Sequence, residues 1–262
     1  MPRVAIVIPM YGKEEYTRKC LELTKKNYGT GEPIEIVVVD DGSKVPFVDP
    51  TVNVVRLEEN SGFTAAANAG ILWAQYRNCD YVLLLNNDTE PYLGFLQELV
   101  TAMELDEKIG IAASVRIHEG DVLKAELYGA DLIRGYQMFI DEKDLPNIPL
   151  NTTWIPLASG LLRMSMVREI GILDKRFRNH CSDSEYCIRA KLNGWNVALV
   201  PTSRVKHHRS VTTSANNINV GNDQNKFIAK LAGMDVAQLM KEMPLDCESK
   251  SYGELIFNVV KR

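Results

Sequence analysis

The chain has 262 residues, is 45% hydrophobic and 24% charged, and carries a formal net charge of −4, which suits one soluble domain, or one and a half, with an ample core. The acidic balance argues against a general nucleic-acid binder, which presents a basic face. No apolar run approaches membrane-spanning length and the N-terminus lacks a signal-peptide pattern, so a cytoplasmic protein is expected.

The first half alternates strands and helices. The pattern predicts a strand over 3–9, a helix over 13–26, a strand over 34–40, a short strand over 52–57 and a helix over 62–77. A strand over 80–86, a helix over 91–106 and a strand over 109–115 follow. The short apolar runs are too brief for helices and too apolar for half-exposed strands, so they read as buried parallel strands. The order is α/β, with right-handed crossovers placing helices on both faces of a mostly parallel sheet. From 116 to 153 glycines and prolines (Gly120, Gly129, Gly135, Pro146, Pro149) break the pattern, which reads as a hairpin and a long excursion over the site. Order returns over 155–164, with helices near 165–170 and 182–193 and a strand over 195–200. A polar, Asn-rich turn over 212–225 precedes two short helices, the second capped by Asp235. Apolar residues of the tail (Phe227, Ile228, Leu231, Val236, Leu239, Met240, Met243) pack on the domain, pair two copies or rest on a membrane surface; packing is the favoured reading. Five cysteines (Cys20, Cys79, Cys181, Cys187, Cys247) lack C-x-x-C spacing and read as reduced thiols.

Three strands end in polar turns: Pro9-Met10-Tyr11-Gly12, Asp40-Asp41-Gly42-Ser43 and Asn86-Asn87-Asp88. In an open parallel sheet the ligand sits outside the carboxyl ends of the strands, where their order reverses. The three clusters therefore converge on one edge, an arrangement suited to a nucleotide diphosphate carried on a metal ion. Taken alone, Asp88 reads as a cap on a helix beginning near Pro91, with Thr89 sharing that role. Its neighbours shift the reading towards a cation that takes one or two ligands from protein and the rest from substrate. Asn60-Ser61-Gly62-Phe63 opens an Ala-rich helix. Gly62 there allows close backbone approach to a ligand, or Asn60 or Ser61 merely caps the helix. Ser182-x-x-Glu185 matches a capping box. That assignment leaves Asp183 without a structural task, in a first helical turn whose dipole favours the anion, so Asp183 is the candidate general base. The basic run Arg204–Arg209 reads by itself as a solvated stretch, but it follows a strand, and a histidine there could complete a metal shell, favouring manganese over magnesium.

Together these residues resemble the family-two glycosyltransferases of GT-A fold. The likeness covers about 3–210 and rests on Pro9-x-Tyr11, Val39-Asp40-Asp41-Gly42-Ser43, Asn60-x-Gly62-Phe63 with Asn68-x-Gly70, and Leu85-Asn86-Asn87-Asp88. Gly160 to Met164, Gly171-Ile172-Leu173-Asp174, Asp183-x-Glu185-Tyr186-Cys187-Ile188-Arg189 with Gly194-Trp195, and Val205-x-His207-His208 complete it. The resemblance implies a GT-A domain over 1–210, with a nucleotide-sugar half (1–115) and an acceptor half (116–210), and a helical extension over 211–262. It implies that Pro9, Tyr11 and Asp41 hold the nucleobase and ribose, that Asn60, Gly62 and Asn68 form a second nucleotide turn, and that Asn87 and Asp88 meet the donor. Asp88 would ligate the metal with His207, His208 being the substitute, and Asp183 would be the catalytic base. The implied reaction is inverting transfer from a UDP- or dTDP-sugar to a hydroxyl acceptor, a saccharide in glycan synthesis, with a rhamnosyltransferase-like subgroup as one option. Two departures stand out: Asn87 replaces a frequent acid, and Ser182 replaces the acid that often precedes the base. A non-catalytic nucleotide-sugar binder and a nucleotidyltransferase are the alternatives; the latter lacks its Gly-rich phosphate loop here.

Overall fold

A computed structural model of the chain describes residues 2–29, 31, 33–118, 124–128, 137–141, 143, 145–208 and 220–231. The elements run β1 (Val4–Met10), α1 (Glu14–Asn27), β2 (Ile34–Asp40), β3 (Asn53–Arg56), α2 (Phe63–Tyr76), β4 (Tyr81–Leu85), β5 (Thr89–Pro91), α3 (Phe95–Leu105) and β6 (Ile109–His118). They continue with β7 (Lys124–Tyr128), β8 (Gln137–Asp141), β9 (Leu150–Asn151), β10 (Ser159–Arg163), α4 (Met164–Ile170), α5 (Ser182–Leu192), β11 (Asn196–His207) and α6 (Val220–Leu231). One sheet carries the order β3-β2-β1-β4-β10-β6-β11-β5. Strands β1 to β4 are mutually parallel, β10 lies antiparallel between β4 and β6, and β11 runs parallel to β6. The sheet is thus mixed and mostly parallel, with its order reversing between β1 and β4.

Strand alternation sorts the core into two layers. On β1, Ala5 and Val7 enter one and Val4, Ile6, Ile8 and Met10 the other. Helix α2 (Ala66, Ala67, Ile71), α5 (Tyr186, Ile188) and α6 (Phe227, Leu231) cover the first face; α1 (Cys20, Leu21) and α3 (Phe95, Leu96, Leu99, Met103) cover the second. Every residue of β1 and β4 is buried, as runs sheltered on both faces require. Gly70 sets the approach of α2 to β1, because a Cβ there would lie 2.1 Å from Val7 Cγ1 and 3.0 Å from Val7 Cβ. Rotating Val7 cannot clear its own Cβ. Gly70→Ala is therefore expected to lower stability by ~1–3 kcal/mol, read as a fall in the denaturation midpoint; an unchanged midpoint would contradict this packing.

Several expectations are corrected. Helix α3 starts at Phe95 after Gly94, not near Pro91, because Thr89–Pro91 forms β5 and pairs antiparallel with Val205–His207. Strand β11 does not stop at 200: a register shift between Val200 and Arg204 absorbs Pro201, and pairing with β6 resumes to Lys206. Arg204 to His207 of the basic run thus lie within the strand rather than after it. Helix α6 begins inside the segment read as a polar turn. The hairpin expected after 116 is formed by β7 and β8. The four described cysteines are free. Among the described residues no helix is long and apolar enough to cross a membrane. Gly120, Gly129, Gly135, Arg209, Asp235, Val236, Leu239, Met240, Met243 and Cys247 lie outside the described residues.

Candidate functional site

A cavity of about 610 Å³ opens at the carboxyl edge of the sheet, where the strand order reverses. The ends of β1, β2 and β4 supply Pro9, Tyr11, Asp41, Asn87 and Asp88 to its wall; Asn60, Asp183 and His207 join them. The turns are tied across the strands, Asp41 N donating to Met10 O at 2.8 Å and Gly12 N to Ser43 Oγ at 2.9 Å.

The neighbouring acids at the end of β2 divide their labour because successive side chains leave a strand on opposite sides. Asp40, fully buried, accepts Ser43 N (2.9 Å) and Phe47 N (3.1 Å) and pairs with Arg56. Burial would raise its carboxyl, but these bonds outweigh burial and hold it below the ordinary value. Asp41 faces the cavity, its two oxygens each accepting one amide, Ser61 N and Gly62 N, at 2.8 Å. Burial raises its carboxyl despite those amides. The start of α2 is therefore capped by distant groups. Neither Asn60 nor Ser61 caps it; Asn179 Oδ1 accepts Phe63 N at 3.0 Å.

Gly62 and Asn68 do not reach the cavity wall. A Cβ on Gly62 would sit 2.5 Å from Arg178 Cγ and 2.6 Å from Arg178 O, so glycine is needed there for contact between two protein segments. Asn68 spends its amide on the backbone of Leu173, donating to its oxygen at 2.8 Å and accepting its N–H at 3.0 Å. The structure thus places Asn68 on the protein backbone, away from the cavity wall.

Asp88, 7% exposed, caps no helix. Pairing of β5 with β11 sets His207 opposite Thr89, which brings His207 Nε2 to 3.0 Å from Asp88 Oδ1. Arg116 Nη1 lies 3.0 Å from His207 Nδ1. A guanidinium only donates, so Nδ1 accepts and Nε2 carries the proton towards Asp88. Ligation of a cation through Nε2 requires that proton to move to Nδ1, with Arg116 letting go. Burial would raise the Asp88 carboxyl, but the hydrogen bond from His207 keeps it below the ordinary value. Asn87 donates to Thr17 Oγ1 at 3.0 Å. His208 turns away, to Glu90 Oε1 at 2.7 Å. Between the two histidines, the cavity holds His207.

Asp183 stands in the first turn of α5, its Oδ1 accepting Ser184 N at 2.8 Å. Burial drives its carboxyl above the ordinary value, and the amide of Ser184, His180 and Arg116 offset this only in part. Asp183 is therefore a stronger base than the helix dipole alone would leave it. The expected capping box is absent. Cys181 (φ 63°) is the N-cap residue and makes no side-chain cap, while Ser182 lies inside the helix. Glu185, fully buried, pairs instead with Arg189 at 2.9 Å and Lys230 at 2.6 Å. Two cations satisfy a buried carboxylate better than one backbone amide does.

The family model described as Glycosyl transferase family 2 matches residues 5–170. The chain belongs to that family. Within family 2 its similarity to individual proteins is distant. It is 24% identical over 241 residues to the O-antigen biosynthesis protein RfbC of Myxococcus xanthus, covering 83% of this chain but 18% of RfbC. It is 24% identical over 236 residues to YwdF, an uncharacterized glycosyltransferase of Bacillus subtilis (strain 168), covering 88% of this chain and 83% of YwdF. The crystal structure of GalNAc-T7 with UDP, GalNAc and Mn2+ superposes with a TM-score of 0.60 at 16% identity, over 79% of this chain and 44% of that one. This likeness establishes the GT-A fold.

Six polar residues stand on the cavity wall without a motif to announce them: Arg116, Arg178, Asn179, His180, Asn222 and Asp223. Arg116 had a legible signal. A cation inside the apolar strand Ile109–His118, 9% exposed, needs an anionic or acceptor partner. The other five come from a loop and from α6, where no periodicity singles them out.

Proposed function

We propose that this protein transfers a sugar from a nucleotide-diphosphate sugar to a hydroxyl acceptor, inverting the anomeric carbon. The observation that carries the reading is that Asp88 and Asp183 open on one cavity at the point where the strand order reverses. UDP and dTDP are the nucleotides considered, and a saccharide in glycan synthesis is the acceptor, in keeping with the name of the RfbC relative. Pro9, Tyr11, Asp41 and Asn60 would line the nucleotide end, and residues 116–153 would contribute to the acceptor half.

The donor set fits a divalent cation. Asp88 offers a carboxylate oxygen and His207 an imidazole nitrogen, a mixed pair that favours manganese over magnesium. Among the described residues no three His, Cys, Asp or Glu side chains gather to hold a cation alone, so substrate oxygens would complete its shell. When bound, the cation neutralises charge on the leaving diphosphate. Arg116 adds a fixed positive charge on the same wall, in place before the bond breaks. Asp183 accepts the acceptor's hydroxyl proton, which sharpens that oxygen as a nucleophile on the face opposite the leaving group.

A panel of UDP- and dTDP-sugars, scored by thermal shift and donor hydrolysis, tests the reading. A true donor at 100 times its Kd raises stability by about 2.7 kcal/mol. EDTA is expected to suppress hydrolysis and manganese to restore it. Full activity in chelator would remove the metal, and a panel with neither shift nor hydrolysis would remove the function.

A further inference from the structure

Helix α6 lies beyond the residues matched by the family, yet it supplies Asn222 and Asp223 to the cavity wall. Asp223 is 3% exposed, and its Oδ2 accepts three consecutive backbone amides: Arg178 N at 3.1 Å, Asn179 N at 2.9 Å and His180 N at 3.0 Å. Three N–H groups converging on one oxygen make an anion nest, here filled by a side chain of the same protein. Burial would raise the carboxyl, but the three amides outweigh it and hold it below the ordinary value.

The loop held in this way reaches both ends of the site. Towards the nucleotide turn, Arg178 O accepts Thr64 N at 3.1 Å and Asn179 Oδ1 accepts Phe63 N at 3.0 Å. Arg178 Nη2 also donates to Asn60 O at 2.7 Å and to Asn60 Oδ1 at 2.6 Å. Towards the chemistry, the chain passes through the left-handed turn at Cys181 and enters α5 at Ser182, next to Asp183. Helix α6 is itself anchored: Lys230 bridges Asp174 (2.7 Å) and Glu185 (2.6 Å), and Phe227 packs edge-on against Phe177 at 6.4 Å. These contacts hold α6 independently of the nest carboxylate.

We infer that Asp223 is a positioning residue for glycosyl transfer: by fixing the backbone of 178–180 it sets Asp183 relative to the nucleotide-facing start of α2. The catalytic part of this inference rests on the proposed function; the clamping part does not. An ångström of misplacement at a reacting group costs ~100-fold in rate.

The test compares wild type with Asp223→Ala and Asp223→Asn in the full chain. The asparagine keeps an oxygen acceptor of the same shape, and therefore serves if the alanine variant fails to fold. Amide exchange at 178–180 is expected to quicken in Asp223→Ala and less so in Asp223→Asn. On the donor found in the sugar-nucleotide panel, kcat of Asp223→Ala should fall ~100-fold with a smaller change in donor KM. Added formate, which fits the vacated nest, should return part of that kcat in Asp223→Ala and none in Asp223→Asn. Unaltered amide exchange overturns the clamp, and unaltered kcat overturns its catalytic consequence. A wild type inactive on every donor refutes the proposed function instead, while amide exchange still decides whether Asp223 holds the loop.

Discussion

Replacing Asp183 with asparagine is expected to lower turnover by about 100- to 10,000-fold, the usual contribution of a positioned base, while leaving UDP binding intact. The substitution is nearly isosteric. The amide oxygen can still accept Ser184 N, so α5 keeps its first turn. What is lost is the lone pair that receives the acceptor's proton. The pH profile supplies a second reading. A base must be deprotonated to work, and burial raises the Asp183 carboxyl, so turnover should rise with pH along a limb displaced above an ordinary aspartate of about 3.9. The consequence for stability has a definite sign. A folded-state pKa above the unfolded value favours folding at low pH, and that contribution is lost as pH rises through the folded pKa. Asp183→Asn should therefore be at least as stable as wild type near neutral pH, the pattern of a group held at a cost for function. Asp174 and Asp223 carry the opposite sign. Arg176, outweighing burial, holds Asp174 well below its ordinary value, and the nest amides do the same for Asp223. Their contributions are present above the unfolded pKa and vanish as pH falls through the folded pKa. Initial rates across pH, calorimetry with UDP and melting curves check all three; wild-type turnover in Asp183→Asn would strip the residue of its role.

What the sequence disclosed follows from which forces are local. The apolar runs at 4–8, 34–39 and 81–85 announce strands because burial on both faces leaves no other solution for so few residues. Their polar ends locate the cavity for the same reason, since a parallel sheet brings those ends together. The misreadings arise where a distant partner overrides a local rule. Ser182 and Glu185 satisfy the capping pattern, but Glu185 finds Arg189 and, from α6, Lys230. Thr89 and Pro91 look like a helix start, but their backbone finds His207 and Val205. Pro201-Thr202-Ser203 reads as the end of a strand. The chain instead bulges there, and Ser203 is buried in a hydroxyl chain, taking a hydrogen bond from Ser114 at 2.7 Å and donating to Phe95 O at 2.7 Å. Asn68 shows the converse: a residue of a recognised motif can be consumed by structure, here by the backbone of Leu173. Asp223 was invisible because its partners are three backbone amides, and amides carry no sequence signature.

Asp88→Ala is expected to produce the second large loss, ~100- to 1,000-fold in kcat, the scale seen when a group stabilising transition-state charge is removed. Asp88 has no deputy on its own turn. Asn87 brings no charge and donates to Thr17, so deletion leaves His207 alone to face the diphosphate from this side. Asp88 also has a structural share that must be separated from its chemistry. Its loss leaves His207 Nε2–H without that carboxylate, in a side chain that is 10% exposed, and an unsatisfied buried donor costs ~1–3 kcal/mol. A lower melting temperature is thus expected for Asp88→Ala and a smaller fall for Asp88→Asn, whose amide oxygen can still accept the imidazole proton. Turnover should not follow that ranking. The asparagine restores the hydrogen bond but not the negative charge, so it should remain nearly as inactive as the alanine, and manganese should stabilise neither variant in the presence of UDP. If Asp88→Asn recovers both stability and turnover, the carboxylate serves only to orient His207, and the positive charge acting on the diphosphate must be sought in Arg116.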